Sequence, residues 1–355
     1  MRVYVGTYTH STHSEGIYRC AFDPATGALS LMGLAVHAAD PSYLALAPSG
    51  RTLYACNELA EYKGERSGAL SALAVDPSDG TLRLLNQQPT HGAHPCHVSV
   101  DHAGRMAMVA NYSGGSLAAF PIRGDGSLGP ASDVHLLSGR GLDPQRQAEP
   151  HAHSIWPDPT NRWALACDLG TDRVFLFGLS TGEGKLRSPR VSYVRVAPGA
   201  GPRHIAFHPN GHWAYLVSEL RSAVTLFDWL PDRGLLAEVE HVPALPADYA
   251  GPNGAADIHL TPDGRYLYAS NRGQDALAMF AVDPDSGRLT LLGYMPTGGQ
   301  HPRNFSLDPT GHWLLVANMN SDNIVTLAID AASGRLYPTG HELAVPSPTC
   351  ILFAA

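Results

Sequence analysis

Residues 205–220, IAFHPNGHWAYLVSEL, decide how this chain is read. A short apolar run ends in His-Pro-Asn-Gly, and a second run rich in aromatic and β-branched residues follows at once. Gly supplies positive φ and Pro presets turn geometry, so the stretch predicts strand, tight turn, strand. The same phrase recurs as APSGRTLYACNE, VDHAGRMAMVANYS, PDPTNRWALACDLG, TPDGRYLYASNRG and DPTGHWLLVANMN. Its anchors, Gly50, Gly104, Asn161, Gly211, Gly264 and Gly311, fall roughly 50 residues apart, the period of one four-stranded blade with its loops.

Each unit continues with a third strand ending in Asp and a Gly-x-Leu turn into a fourth, as in DPSDGTLRLL, DPDSGRLTLL and DAASGRLYPT. No amphipathic helix of useful length interrupts the pattern, so the class is all-β. The termini set the blade count. RVYVGTYT at residues 2–9 matches the second strand of a unit, and SPTCILFAA at residues 347–355 matches the first. Six internal anchors plus one blade shared between the two ends predict a single domain over residues 1–355. It is a seven-bladed β-propeller with four antiparallel strands per blade, closed by pairing the C-terminal strand with the N-terminal segment. Such closure removes the open edges a stack of repeats would expose. Gly-His-Trp occurs at Gly211 and Gly311, but no Trp-Asp closes a blade, so the WD-type signature is missing.

Composition bounds the partners. With 44% hydrophobic and 16% charged residues the chain has ample material for a core, and 36 Gly with 28 Pro suit many short strands and turns. A formal net charge of -8 argues against nucleic acid or an anionic membrane and for a small-molecule partner. No run reaches the roughly 18 apolar residues of a membrane helix, and the N-terminus runs straight into a strand pattern, which leads to an expectation of a cytoplasmic protein. Closure also makes a monomer the default. Five cysteines, Cys20, Cys56, Cys96, Cys167 and Cys350, never form Cys-x-x-Cys and read as small buried apolar groups.

In a propeller the start of each first strand and the end of each second strand lie on the same face of the disc. Aligning the units brings there His94 and His97 (HPCHV), His151 and His153 (PHAHSI), Arg203 and His204 (GPRHI), Asp257 and His259 (AADIH), and His301 and Arg303 (HPRNF). Leaving the second strands are Asn57, Glu58, Asn111, Asp168, Glu219, Asn271, Arg272 and Asn318. A single histidine is more often a packing or turn residue. Seven of the 18 histidines at one mouth, beside arginines and a glutamate, read as a binding site. The long loops 139–150 (GRGLDPQRQAEP) and 244–255 (ALPADYAGPNGA) rise on this face as rims or lids. His151, His153, His204 or His259 with Asp257 have the donor types of a metal site. Histidine equally suits acid-base work, and the reading assigns no metal and no cofactor. Serine-hydrolase, zincin, Walker and dinucleotide motifs are absent.

At GPRHIAFHPNG, VSELRS and AADIHLTPDGRYLYASNRG the chain resembles the seven-bladed lactonase family, which includes propeller-type 6-phosphogluconolactonases and carboxymuconate cycloisomerases. The resemblance spans the chain. It implies a catalytic quartet at His153 in PHAHSI, Arg203 in GPRH, Glu219 in SEL and Arg272 in SNRG, with His151 a less favoured register for the histidine. The other mouth residues, His94, His97, His151, His204, Asp257, His259, His301 and Arg303, are then substrate-binding candidates. Lactone hydrolysis needs a base for water, a cation near the oxyanion and a proton for the leaving oxygen. Glu219 or His153 would activate water while the other manages the leaving oxygen, and Arg203 and Arg272 would hold a carboxylate or phosphate. The expected activity is hydrolysis of a sugar-acid lactone, with 6-phosphogluconolactone the leading substrate. The alternatives are a cycloisomerase acting on a muconate-like dicarboxylate and a ligand-binding or scaffold propeller.

Overall fold

A computed structural model describes residues 1–354. Among the described residues it holds 29 strands in seven sheets and no helix beyond the 3-10 turn Met319–Ser321. Six sheets are built from consecutive strands. The seventh joins Pro348–Ala354 to Arg2–Thr7, which pair antiparallel from Arg2 with Ala354 to Thr7 with Pro348, closing the ring as the termini predict.

The innermost strands are Pro41–Leu46, Pro95–Val100, Ala152–Pro157, Pro202–Phe207, Gly254–Leu260, Pro302–Leu307 and Pro348–Ala354. Each touches the next around the channel, and the last touches the first. One apolar cluster fills each of the seven interfaces between neighbouring sheets. In one, Trp213, Tyr215 and Val217 pack against Ile258, Leu267 and Phe280 of the following blade. Burying a large apolar side chain in this way contributes about 1.5–3 kcal/mol, and the total is spread around the ring rather than gathered in one core.

The near-verbatim Gly-x-Leu turns have a packing cause. Gly287, at φ 71°, lies flat on the Trp213 ring of the preceding blade, where an added Cβ would come within 2.5 Å of the indole. The tyrosine two residues along the same strand, Tyr215, donates its hydroxyl to the Gly287 carbonyl at 2.7 Å. Tyr4, Tyr54 and Tyr268 make the equivalent bonds to Gly80, Gly126 and Gly334. One blade departs from the four-strand rule: its outer edge is split into Lys185–Arg187 and Tyr193–Arg195. Pro189, which has no N–H to donate to a ladder, lies in the break.

Candidate active site

Two repeated backbone positions build the site. In five inner strands the ladder to the second strand skips one residue just after the start, leaving Ser42, Cys96, His153, Arg203 and Arg303 without a partner. Such bulges re-aim a side chain. The second position is the residue immediately after the last paired residue of the second strand, which is Tyr8, Glu58, Tyr112, Leu169, Glu219 or Met319; in the remaining blade Arg272 follows Asn271 in the same place but is itself paired with Gly254. The polar members of the two sets converge. Tyr8, Glu58, Cys96, Tyr112, Arg146, His153, Glu219, Arg272 and Arg303 line one cavity of about 170 Å³ at this mouth.

Glu219 is the hub of one wall. Its Oε2 lies 3.1 Å from Arg203 Nε and 2.7 Å from Arg272 Nη2, and its Oε1 lies 2.5 Å from Arg146 Nη2. Burial pushes this carboxyl up, but the three guanidiniums outweigh it and hold the group down at about 2. Arg203 is 2% exposed and also donates to the Ala256 carbonyl. Burial and the neighbouring Arg272 and Arg303 lower its pKa to about 10, so it stays cationic at neutral pH.

Glu58 stands in the same cavity with different company. Its Oε2 accepts the Tyr8 hydroxyl at 2.9 Å and lies 3.9 Å from Arg303 Nη2, while the Arg303 guanidinium sits 5.3 Å from the Tyr8 ring centre. His153 is buried, its Nδ1 3.9 Å from the Cys96 sulfur. Burial, then Arg203, His204 and the other arginines, keep His153 well below the usual histidine range, so it is neutral. Burial pushes the Cys96 thiol up, so it too is neutral.

Arg146 comes from the loop 139–150, which covers the cavity as the sequence anticipates. The loop is pinned by buried Gln147, whose amide donates to the Leu169 carbonyl at 2.8 Å and to Asp172 Oδ1 at 2.7 Å. Asp143 Oδ1 accepts the Gln145 and Arg146 backbone N–H groups, so the turn that carries Arg146 is fixed at both ends. The loop 244–255 supports the site from behind, its Gly254 carbonyl accepting from Arg272 Nε at 3.1 Å.

The mouth residues read from the sequence separate by depth. His153, Glu219, Arg272 and Arg303 line the cavity, with Arg203 behind Glu219. His97, His204 and Asp257 lie deeper, fully enclosed in the channel. Asp257 is charged, because His259 and His204 outweigh the burial that would raise it, so His204 Nδ1 must be the N–H that donates to Asp257 Oδ1 at 2.8 Å. That leaves His204 Nε2 an acceptor with no partner. The backbone N–H of Ile155 donates to His97 Nδ1, leaving His97 Nε2–H without a partner as well. His259 donates to Asp257 Oδ2 and opens on the opposite end of the channel, into a cavity of about 320 Å³ walled by Val98, Trp156, Phe305 and Leu352. These three histidines and Asp257 therefore do not line the charged cavity. His151 stacks on Tyr112 at the rim, and His301 lies near Arg272 and Arg303. His94 is held in a left-handed turn at φ 53° and does not line the cavity. Of the four histidines with metal-donor chemistry, His204 and His259 each bond one oxygen of Asp257, whereas His151 lies at the rim and His153 in the charged cavity.

Tyr8, Tyr112, Cys96 and Arg146 are site residues that the sequence reading does not single out. Moving one residue beyond the Asn, Thr or Ser that ends these second strands finds Tyr8 and Tyr112, as it does Glu58 and Glu219.

Comparison with known proteins places these features in context. The model of the lactonase, 7-bladed beta-propeller family matches residues 2–353. A 6-phosphogluconolactonase of Bacillus subtilis is 37% identical over 302 residues, 85% of this chain and 83% of its own length. A 6-phosphogluconolactonase of Formosa agariphila is 33% identical over 309 residues, 86% of each chain. The solved structure of a periplasmic gluconolactonase of Pseudomonas aeruginosa superposes with a TM-score of 0.92 at 38% identity, over 100% of this chain and 99% of its own.

Proposed function

The chain belongs to the seven-bladed β-propeller lactonase family and is a lactone hydrolase, and on that premise we propose that its substrate is 6-phosphoglucono-1,5-lactone. One observation carries this choice. Arg146, Arg203, Arg272 and Arg303 surround a cavity that holds two carboxylates, Glu58 and Glu219, so two positive charges are uncompensated in a chain whose formal net charge is -8. A phosphate dianion supplies the missing charge. At an effective dielectric near 20, two unit charges about 4 Å apart attract by about 4 kcal/mol before desolvation, which favours a phosphorylated lactone over a neutral one.

Arg146, Arg272 and Arg303 expose guanidinium edges to the cavity and hold the phosphate, while buried Arg203 fixes Glu219. Glu219 organises the arginines: both its oxygens are occupied, and a carboxylate held at about 2 is a weak base. Neutral His153 lines the cavity with its Nδ1 on the Cys96 side, and we assign the donor role to its Nε2–H. As an N–H donor surrounded by cations it polarises the lactone carbonyl and stabilises the oxyanion, as a neutral imidazole does best when its protonated form is disfavoured.

The test is proton release on adding freshly made 6-phosphogluconolactone, with unphosphorylated gluconolactone alongside and the spontaneous rate subtracted. The expected result is a kcat/KM roughly 100-fold higher for the phosphorylated compound. Equal rates on the two would make it a general sugar lactonase. Activity on neither would turn attention to muconate-like dicarboxylates.

A further inference from the structure

The quartet of histidine, glutamate and two arginines leaves the reaction without a competent base. Glu219 has no free oxygen, since three guanidiniums occupy both. Protonating His153 would place a further positive charge among Arg203, Arg272 and Arg303. Cys96 and Tyr8 are held protonated by burial, and Asp257 lies below the cavity with its oxygens taken by His204, His259 and Asn304.

Glu58 differs from all of these. Its backbone is tied by its N–H to the Asp40 carbonyl at 2.9 Å, and its side chain is only 13% exposed. Tyr8 fixes Oε2, whereas Oε1 accepts no hydrogen bond among the described residues. An anchored carboxylate with one bare oxygen, sharing a cavity with His153, has the geometry of a general base.

We infer that Glu58 is the catalytic base of lactone hydrolysis, with Tyr8 its positioning residue; this rests on the lactonase reading of the cavity. Oε1 takes a proton from water as the water oxygen bonds to the carbonyl carbon, and the carbonyl π pair moves onto the oxygen that faces His153. When the tetrahedral intermediate collapses, the bond to the ring oxygen breaks. That oxygen takes the proton back from Glu58, so one water is consumed and the base is regenerated. The carboxylic acid formed then loses its own proton to solvent, the proton the assay reads. Glu58 belongs to the same repeated position as Glu219, and the two differ in having one distant arginine or three close ones.

The experiment compares wild type, Glu58→Gln, Glu58→Ala and Tyr8→Phe in the proton-release assay, with thermal melting as a check on folding. Glu58→Gln is expected to lower kcat roughly 10²- to 10⁴-fold with KM within about threefold. Glu58→Ala is expected to lose as much and to regain part of it in added sodium formate, a carboxylate small enough to enter the vacated space. Tyr8→Phe, which keeps the ring under Arg303, is expected to lower kcat about tenfold and also tests the assignment should the Glu58 variants fail to fold. Wild-type kcat in Glu58→Gln overturns the assignment of Glu58 alone. So does a loss shared by kcat and KM that formate does not restore. Wild-type protein inert toward every lactone overturns the lactonase reading and the Glu58 assignment with it.

Discussion

Glu219 and His204 are only 4% and 3% exposed in the same channel, yet one is held charged and the other neutral. The upper layer compensates charge with charge: three guanidiniums surround the Glu219 carboxylate. The layer beneath does the reverse. His97 and His204 are neutral there because burial and neighbouring cationic groups penalise a further proton, and Asp257 alone carries charge. The contrast teaches how a propeller divides its axis. A ligand can exchange with mobile counter-charges only at the mouth, while the enclosed layer must satisfy itself and so supports the floor.

The largest effect expected from breaking this arrangement comes from Glu219→Gln. The amide keeps the shape and removes the charge that holds Arg146, Arg203 and Arg272 together. Removing one partner of a buried ion pair costs about 3–5 kcal/mol because the other is left uncompensated. Here the loss falls on ligand-holding groups, so kcat/KM should drop roughly 10²- to 10³-fold, with KM rising as kcat falls. A fall in kcat at constant KM would instead make Glu219 the base and remove its distinction from Glu58.

The lower layer is tested by acid. His204 has a folded-state value of about 4 against 6.5 when unfolded, and His97 and His153 are also held well below 6.5. Between these limits the unfolded chain binds more protons, so stability is full above about 6.5 and falls as pH drops toward 4. His204 alone accounts for about 3 kcal/mol over that window, roughly a hundredfold in the folding constant. Glu219 and Asp257 have depressed carboxyls, whose stability is lost only as pH falls below their ordinary 4.5 and 3.8. Urea denaturation from pH 7 to 5 therefore reports on the buried histidines, His97 and His204 of the lower layer together with His153 of the cavity, to which part-buried His301 at the rim adds a smaller share. An unchanged midpoint over that range would mean these histidines are not kept neutral.

The difference between layers also explains what the sequence discloses. Blade count and closure follow from local turn chemistry repeated around the ring and from the match of RVYVGTYT and SPTCILFAA to halves of one unit, so both were legible. His153, Arg203, Glu219 and Arg272 were legible as residues of one mouth because the repeats align there, and as a set of four only through the family resemblance. Depth was not. His97 and His204 lie one residue past a bulged position, Cys96 and Arg203 respectively, and about 3.3 Å per residue along a strand suffices to move a ring from the mouth to the enclosed floor. His259, farther along its strand, reaches the opposite end. Arg146 was legible only as part of a long loop, since its placement depends on Gln147 reaching Leu169 and Asp172, contacts between segments that no local pattern encodes.

Arg146 gives the smallest effect and the finest test of the upper layer. It is the most exposed of the three arginines on Glu219, at 44% against 2% for Arg203 and 11% for Arg272. Solvent screens it, so its removal should cost far less than loss of the glutamate. Glu219 would keep two partners, and Oε1 would turn to water at the open rim. Arg146→Met should therefore leave kcat and the melting temperature near wild type and raise KM for the phosphorylated lactone about tenfold. KM for the unphosphorylated compound should hardly move. Because an exposed charge is screened over about 10 Å at 0.1 M salt, the KM difference between wild type and variant should shrink as salt rises. A loss as large as that of Glu219→Gln would mean that the loop, pinned by Gln147, is part of the compensated layer rather than a cover over it.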